Sequence, residues 1–248
     1  MSLGSASVLV TGGARGIGKA IALRFASLGA RRVAIGYLRG DAAAEETAAE
    51  LRALGADPVL VRGNVASPRV ADEVAGLGPL DVLVHAAATG VIRPALETDD
   101  KHWDWTVSAN ARALLSLTRA AAPSMPAGSS VVGLSSLGSE RVLTNYALVG
   151  VSKAALEALV RYLAVELAPK GIRVNAVSAG VVETGALEHF PNREEMLEMG
   201  ARNPVGRLVA PEDVAAVVAF LCSPEAEMIR GQTVVVDGGW SLLAAPQD

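Results

Sequence analysis

The sequence predicts an α/β protein built on one doubly wound parallel sheet of about seven strands, with helices on both faces. Three observations carry that prediction. Short apolar runs alternate with stretches of helical spacing along the whole chain, the order that βαβ units impose. The apolar runs are continuous rather than alternating, as in strands covered on both faces. A glycine-rich turn, TGGARGIG, joins the first run to the first helix.

Each element has a local reason. Residues 6–10, ASVLV, form the first strand, and Ile17, Ile21, Phe25 and Leu28 recur at helical spacing until Gly29 stops them. RRVAIGY reads as a second buried strand, and DAAAEETAAELRALG as an amphipathic helix with Asp41 as N-cap and Gly55 beyond its end. DPVLVRGNV is the third strand, Pro68 opens the next helix, and LDVLVHAAA is the fourth strand. Thr98 to Ala122 is expected as one long helix, its TDDK start supplying the cap and an acidic first turn. SSVVGLSS is the fifth strand, a helix follows from about Tyr146 to Ala168, and IRVNAVSAG is the sixth strand. An irregular stretch covers 181–210, Pro211 opens a last helix to Leu221, and QTVVVDGGW is the seventh strand. No linker, repeat or low-complexity segment interrupts the 248 residues, so a single domain over 1–248 is expected.

The helix from about Tyr146 is apolar nearly all round, with Leu148, Val149, Val151, Leu156, Val160, Leu163 and Val165 spread over every side. One face suffices for the sheet. The opposite face calls for cover, by a second copy of the chain or by its own loops.

Composition narrows the function classes. With 51% hydrophobic and only 4% aromatic residues, the core is built from Ala, Val and Leu. A net charge of −4 offers no overall field for nucleic acid or an anionic membrane. Cys222 is the only cysteine, which excludes an intramolecular disulfide and a Cys-based zinc site and fits a reducing cytoplasm. The start, MSLGSASVLVTGG, lacks the basic and longer apolar regions of a signal peptide, and no apolar run reaches the ~20 residues of a membrane span, so a cytoplasmic location is expected. No carboxylate or histidine cluster has metal-ligand spacing, and no Ser/His/Asp set suggests a hydrolase.

Two motifs carry chemistry. Gly12, Gly16 and Gly18, with Arg15 and Ile17 between them, sit between a strand and a helix, where bare backbone and a helix N-terminus cradle a pyrophosphate. A dinucleotide is therefore expected. At the end of the second strand stand Tyr37, Leu38, Arg39 and Gly40, with no acid before Asp41 to hold adenosine ribose hydroxyls. Arg39 and Arg15 can instead hold a 2′-phosphate, which points to NADPH; the plain alternative for Arg39 is a solvated surface arginine. The second motif, NYALVGVSK, holds Tyr146 and Lys153. On a helix they would lie ~20° out of line and ~10.5 Å apart along the axis, as a proton donor and its electrostatic helper.

TGGARGIG, Asn64-Val65 after the third strand, Asn110 in the long helix, Ser136, the Tyr/Lys pair, SAGVVET at 178–184 and RGQTVVVDGG together resemble the short-chain dehydrogenase/reductase family over essentially the full length. The resemblance implies a Rossmann-like sheet, a nicotinamide cofactor, hydride transfer and a homotetramer or dimer packed through two long helices. It further implies that Asn64 and Val65 border the adenine, the backbone at Ala86 the adenosine ribose, and Val182 and Thr184 the nicotinamide side. Lys153 would hold the nicotinamide ribose, and about 184–210 would form a substrate lid, with Phe190 lining an acyl channel.

The departures from the family pattern are informative. Its common phenol stands four residues before the lysine, and here that position is Val149. The Tyr-x6-Lys spacing, with SSLGS, GVIRP, HWDWT and ALEHFPNREE, is similar to the bacterial enoyl-acyl-carrier-protein reductase III type. His85-Ala86-Ala87-Ala88 replaces an Asn-Asn-Ala-Gly-like turn, and Ala179 stands where Pro often precedes Gly180. His85 is either a neighbour of the ligand or a packing histidine, while His102, Trp103 and Trp105 cover a core or an interface. The expected reaction is NADPH-dependent reduction of the C=C bond of an enoyl thioester on acyl carrier protein, in fatty acid or polyketide-type biosynthesis. Tyr146 would donate to the enolate oxygen. Ser136 either orients the acyl group or satisfies nearby backbone, and Asn110 is either structural or part of a proton relay. Two alternatives stand: a 3-ketoacyl or other carbonyl reductase with a displaced tyrosine, and an inactive NADPH-binding protein.

Overall fold

A computed structural model describes residues 3–185, 187 and 193–243. Its strands are β1 (Ser7–Thr11), β2 (Arg32–Tyr37), β3 (Asp57–Arg62), β4 (Val82–His85), β5 (Ser130–Ser136), β6 (Arg173–Ala179) and β7 (Thr233–Val236). They form one sheet in the order β3-β2-β1-β4-β5-β6-β7, every pair parallel. This is the doubly wound arrangement that the alternation predicts. The order reverses between β1 and β4, where Thr11 lies beside His85, and sheets of this kind place their ligand crevice at that switch point, over the strand C-termini.

The helices are α1 (Gly16–Ser27), α2 (Asp41–Ala53), α3 (Pro68–Ala75), α4 (Asp100–Val107), α5 (Ala113–Ala121), α6 (Ala147–Leu167), α7 (Arg193–Ala201) and α8 (Pro211–Cys222). Two apolar layers sandwich the sheet: α1 and α8 bring Ile21, Phe25, Val218 and Leu221 to one face, and α5 and α6 bring Leu114, Leu117, Leu156 and Val160 to the other. Each such fully buried side chain contributes about 1.5–3 kcal/mol, which is why a core poor in aromatics still holds.

Four boundaries differ from the sequence reading. Gly40, not Asp41, is the N-cap of α2, at a positive φ of 87° that suits glycine. The stretch expected as one helix over 98–122 is α4 and α5 joined by a π-turn, Ser108–Arg112. Asp99 caps α4 by accepting from the His102 N–H at 2.8 Å, so His102 is half of a capping box. Helix α6 begins after Tyr146. The stretch 181–210, read as irregular, contains α7. His189 and Phe190 lie outside the described residues.

Candidate active site

The crevice floor is bare backbone. A side chain at Gly12 would meet the backbone of Ala87 at 3.0 Å, one at Gly18 would run into the Gly12 carbonyl, and one at Gly16 would press on Thr184 Cγ2 at 3.3 Å. Helix α1 starts at Gly16, and its N-cap, Arg15, makes no side-chain cap bond, so the first-turn N–H groups of Gly16, Ile17 and Gly18 face the crevice with the positive helix end behind them. A glycine cradle and an open helix N-terminus fit a pyrophosphate.

The remaining predicted cofactor residues are at strand ends on the same rim. Tyr37 ends β2 half-buried, Arg39 is exposed just beyond it, and Asn64 and Val65 follow β3. Ala86 follows β4 against Gly12, Val182 is buried in a bridge to Val209, and Thr184 faces Gly16. The first acid after β2, Asp41, is paired with Arg62 at 3.4 Å. Arg39 is thus left facing the solvent at the end of β2 where an adenosine ribose would arrive.

Tyr146 meets Ser136 at the end of β5, and Lys153 reaches the backbone of the same strand. The Tyr146 hydroxyl donates to Ser136 Oγ at 3.3 Å. Burial raises the phenol's pKa, opposed by the Ser136 hydrogen bond, so Tyr146 is a protonated donor at neutral pH. Tyr146 is the N-cap of α6 rather than part of it, with φ −103° and ψ 10°, so the same-face geometry of a continuous helix does not apply. Its ring is placed instead by small residues: a Cβ at Gly138 would lie 2.5 and 2.6 Å from ring carbons. Lys153 is buried and donates to the Leu134 carbonyl at 2.6 Å. Burial pulls its pKa down to about 8, against the upward pull of Glu157 one turn further on.

Asn110 makes no hydrogen bond to Lys153. It sits in the π-turn, where Oδ1 accepts from the Thr89 N–H at 2.8 Å and Nδ2 donates to the Thr89 carbonyl at 2.8 Å and to Ser152 Oγ at 2.9 Å. Ser152 in turn donates to the Val149 carbonyl at 2.6 Å. Val149 itself is buried, and its Cγ2 occupies the space a side chain at Gly90 would need. No phenol stands at that position, and the loop over it is closed. Sequence reading did not find Gly138, Ser152 or Gly90 as site residues. The advance signals were the glycines in SSLGS and GVIRP and the serine before Lys153.

A dinucleotide cradle at the switch point beside a Tyr/Ser/Lys cluster defines a nicotinamide-dependent oxidoreductase. The sequence pattern of the family described as Enoyl-(Acyl carrier protein) reductase matches residues 12–241. The chain belongs to the short-chain dehydrogenase/reductase family. It is 38% identical over 246 residues to a 1-cyclohexenylcarbonyl-CoA reductase of Streptomyces collinus, covering 96% of this chain and 88% of that one. Among solved structures it is similar to a short chain dehydrogenase from Burkholderia cenocepacia J2315 in complex with NADP, with a TM-score of 0.87, 32% identity and coverage of 97% and 100% of the two chains. It is also similar to the angucycline C-6 ketoreductase LanV with bound NADP, with a TM-score of 0.90, 30% identity and 98% coverage of each chain. Among the described residues no helix is long and apolar enough to cross a membrane, and no His, Cys, Asp and Glu group could hold a metal ion.

Proposed function

We propose that this protein reduces the C=C bond of an α,β-unsaturated acyl thioester with NADPH, the acyl group being carried on acyl carrier protein or on coenzyme A. The observation that carries this reading is the exchange of places around Lys153. The position four residues before it is Val149, packed under Gly90, and the phenol stands three residues earlier with its hydroxyl at Ser136. The phenol is therefore carried at the N-cap of α6, three residues further along the chain from the lysine. In carbonyl reduction the oxygen that needs a donor is on the carbon that takes the hydride. In enoyl reduction it lies two carbons further away, and the displaced phenol suits that separation. The Streptomyces relative, named for an unsaturated acyl-CoA substrate, supports the same reading.

NADPH, when bound, supplies a hydride to the β-carbon. Gly12, Gly16, Ile17 and Gly18 would hold the pyrophosphate, Arg15 and Arg39 the 2′-phosphate, and Tyr37, Asn64, Val65 and Ala86 the adenosine, with Val182 and Thr184 on the nicotinamide side. Lys153 would hold the nicotinamide ribose hydroxyls and add positive charge. Negative charge develops on the thioester oxygen, and Tyr146 turns its proton from Ser136 to that oxygen. Ser136 keeps the phenol aimed at the acyl group, and Asn110 holds the turn of α6 that carries Ser152 and Lys153. The enolate then collapses back to the thioester carbonyl as its α-carbon takes a proton from solvent, which completes the reduction. The subunits would associate through α6 and its neighbours, whose outer faces expose Val151, Tyr162, Val165, Trp103 and Trp105. The finer assignment is the enoyl-acyl-carrier-protein reductase III type, acting in fatty acid or polyketide-type biosynthesis.

The test pairs crotonyl and acetoacetyl thioesters, each on coenzyme A and on acyl carrier protein, with NADPH and NADH. Oxidation of NADPH with crotonyl but not acetoacetyl thioester is the expected result. The reverse would establish carbonyl reduction, the reaction named for the similar ketoreductase. Preference for NADH would remove the role given to Arg39.

A further inference from the structure

His85 ends β4 with only 1% of its surface exposed, and both ring nitrogens are engaged. Nε2 lies 3.1 Å from the Ala109 carbonyl and 3.2 Å from the Asn110 carbonyl. Carbonyl oxygens only accept, so Nε2 carries the proton. Nδ1, 3.0 Å from Thr11 Oγ1, therefore accepts from that hydroxyl. Thr11 Oγ1 in turn accepts the Ala87 N–H at 3.1 Å. The bonds run in one direction, from the backbone after β4 through Thr11, next to the glycine turn, through the imidazole and into the π-turn. From there Asn110 continues to Ser152, which adjoins Lys153. One side chain thus ties the floor of the cofactor crevice to the helix that carries the lysine.

We propose that His85 is a positioning residue for hydride transfer: as the neutral Nε2–H tautomer it fixes the π-turn, and through Asn110 and Ser152 it sets Lys153 against the glycine turn. This rests on the proposed role of Lys153 and holds whichever bond is reduced. The surroundings favour the neutral ring. The charged group that acts on it is Lys153 from α6, while β1 and the π-turn present a hydroxyl and backbone carbonyls; burial and that lysine hold the imidazole pKa down to about 4. Protonation at Nδ1 would turn a second N–H toward Thr11 and place a second positive charge near Lys153.

The experiment compares His85→Leu and His85→Gln with the wild type, using whichever thioester the enzyme turns over. Glutamine can keep an N–H donor near the Nε2 position, and leucine cannot. The expected result is a fall in kcat of about tenfold or more for the leucine variant, with the Kd for NADPH changed less than about twofold and kcat largely restored by glutamine. In the wild type, 15N chemical shifts of His85 should show the neutral Nε2–H tautomer unchanged from pH 5.5 to 8. If the leucine variant does not fold, the glutamine variant and the shifts decide. A folded leucine variant with wild-type kcat would overturn the proposal, as would a charged or Nδ1–H ring, or a glutamine variant that binds NADPH normally but has lost turnover. NADPH binding and the shifts need no acyl substrate, so a failure here is distinct from a failure of the enoyl reading.

Discussion

At Tyr146 and Gly138 the site depends on single atoms. Replacing Tyr146 by Phe removes the donor and keeps the ring, so turnover should fall about 100-fold while NADPH affinity, measured by fluorescence titration, stays within about twofold. Equal turnover in the two proteins would remove Tyr146 from the reaction. Gly138→Ala tests placement rather than chemistry. The new methyl would stand 2.5 Å from the Tyr146 ring, so it should lower kcat with cofactor binding intact. The positions of Tyr146, Lys153 and Ser136 were legible in the sequence because residue type and spacing tie them to one helix and one strand end, while Asn110 falls in the π-turn. The packing of Val149 under Gly90 was not, because it joins residues from a loop and a helix far apart in the chain. Periodicity reports only which face a residue takes within its own element.

Among the elements, α6 shows how local backbone sets the position of a side chain. Asn145 has a φ of 61°, in the left-handed region, and its carbonyl accepts the Arg93 N–H at 2.8 Å. That turn is why the helix starts one residue after the tyrosine. Asparagine tolerates the conformation and a β-branched residue does not, so Asn145→Val should cost about 1–2 kcal/mol in denaturant unfolding, whereas Asn145→Gly should be close to neutral. The strands and most helices were legible because continuous apolar runs and capping residues are local signals. The π-turn was not, since the apolar spacing on either side of it reads as one long helix. Helix α7 was hidden by its polar residues and the prolines around it.

For the whole molecule, the buried histidine links stability to pH. The unfolded chain holds a proton on His85 up to about pH 6.5 and the folded chain only to about 4, so stability is fully present above pH 6.5 and declines as pH falls toward 4. The loss attributable to His85 should total about 3 kcal/mol and be absent from His85→Gln, as read from urea midpoints across that range. The exposed face of α6 is a second feature at this scale. Val165 is 75% and Tyr162 70% exposed on α6, an unusual place for two such side chains side by side on a single chain. Val165→Asp should shift the protein to a smaller species in sedimentation without loss of the fold; an unchanged mass would show that this face does not join subunits.

The π-turn also makes chain length and residue identity interdependent. A π-turn holds one residue more than the helix it interrupts, and here its carbonyls at Ala109 and Asn110 look outward to His85. Deleting one residue between Ser108 and Arg112 would let an ordinary helical ladder reclaim those carbonyls and would leave His85 with a stranded proton. The deletion and the loss of the imidazole should therefore compensate each other, each harmful alone and milder together. Within the lineage of this chain, a histidine at the end of β4 and the extra residue in the helix are then expected to be gained and lost as a pair.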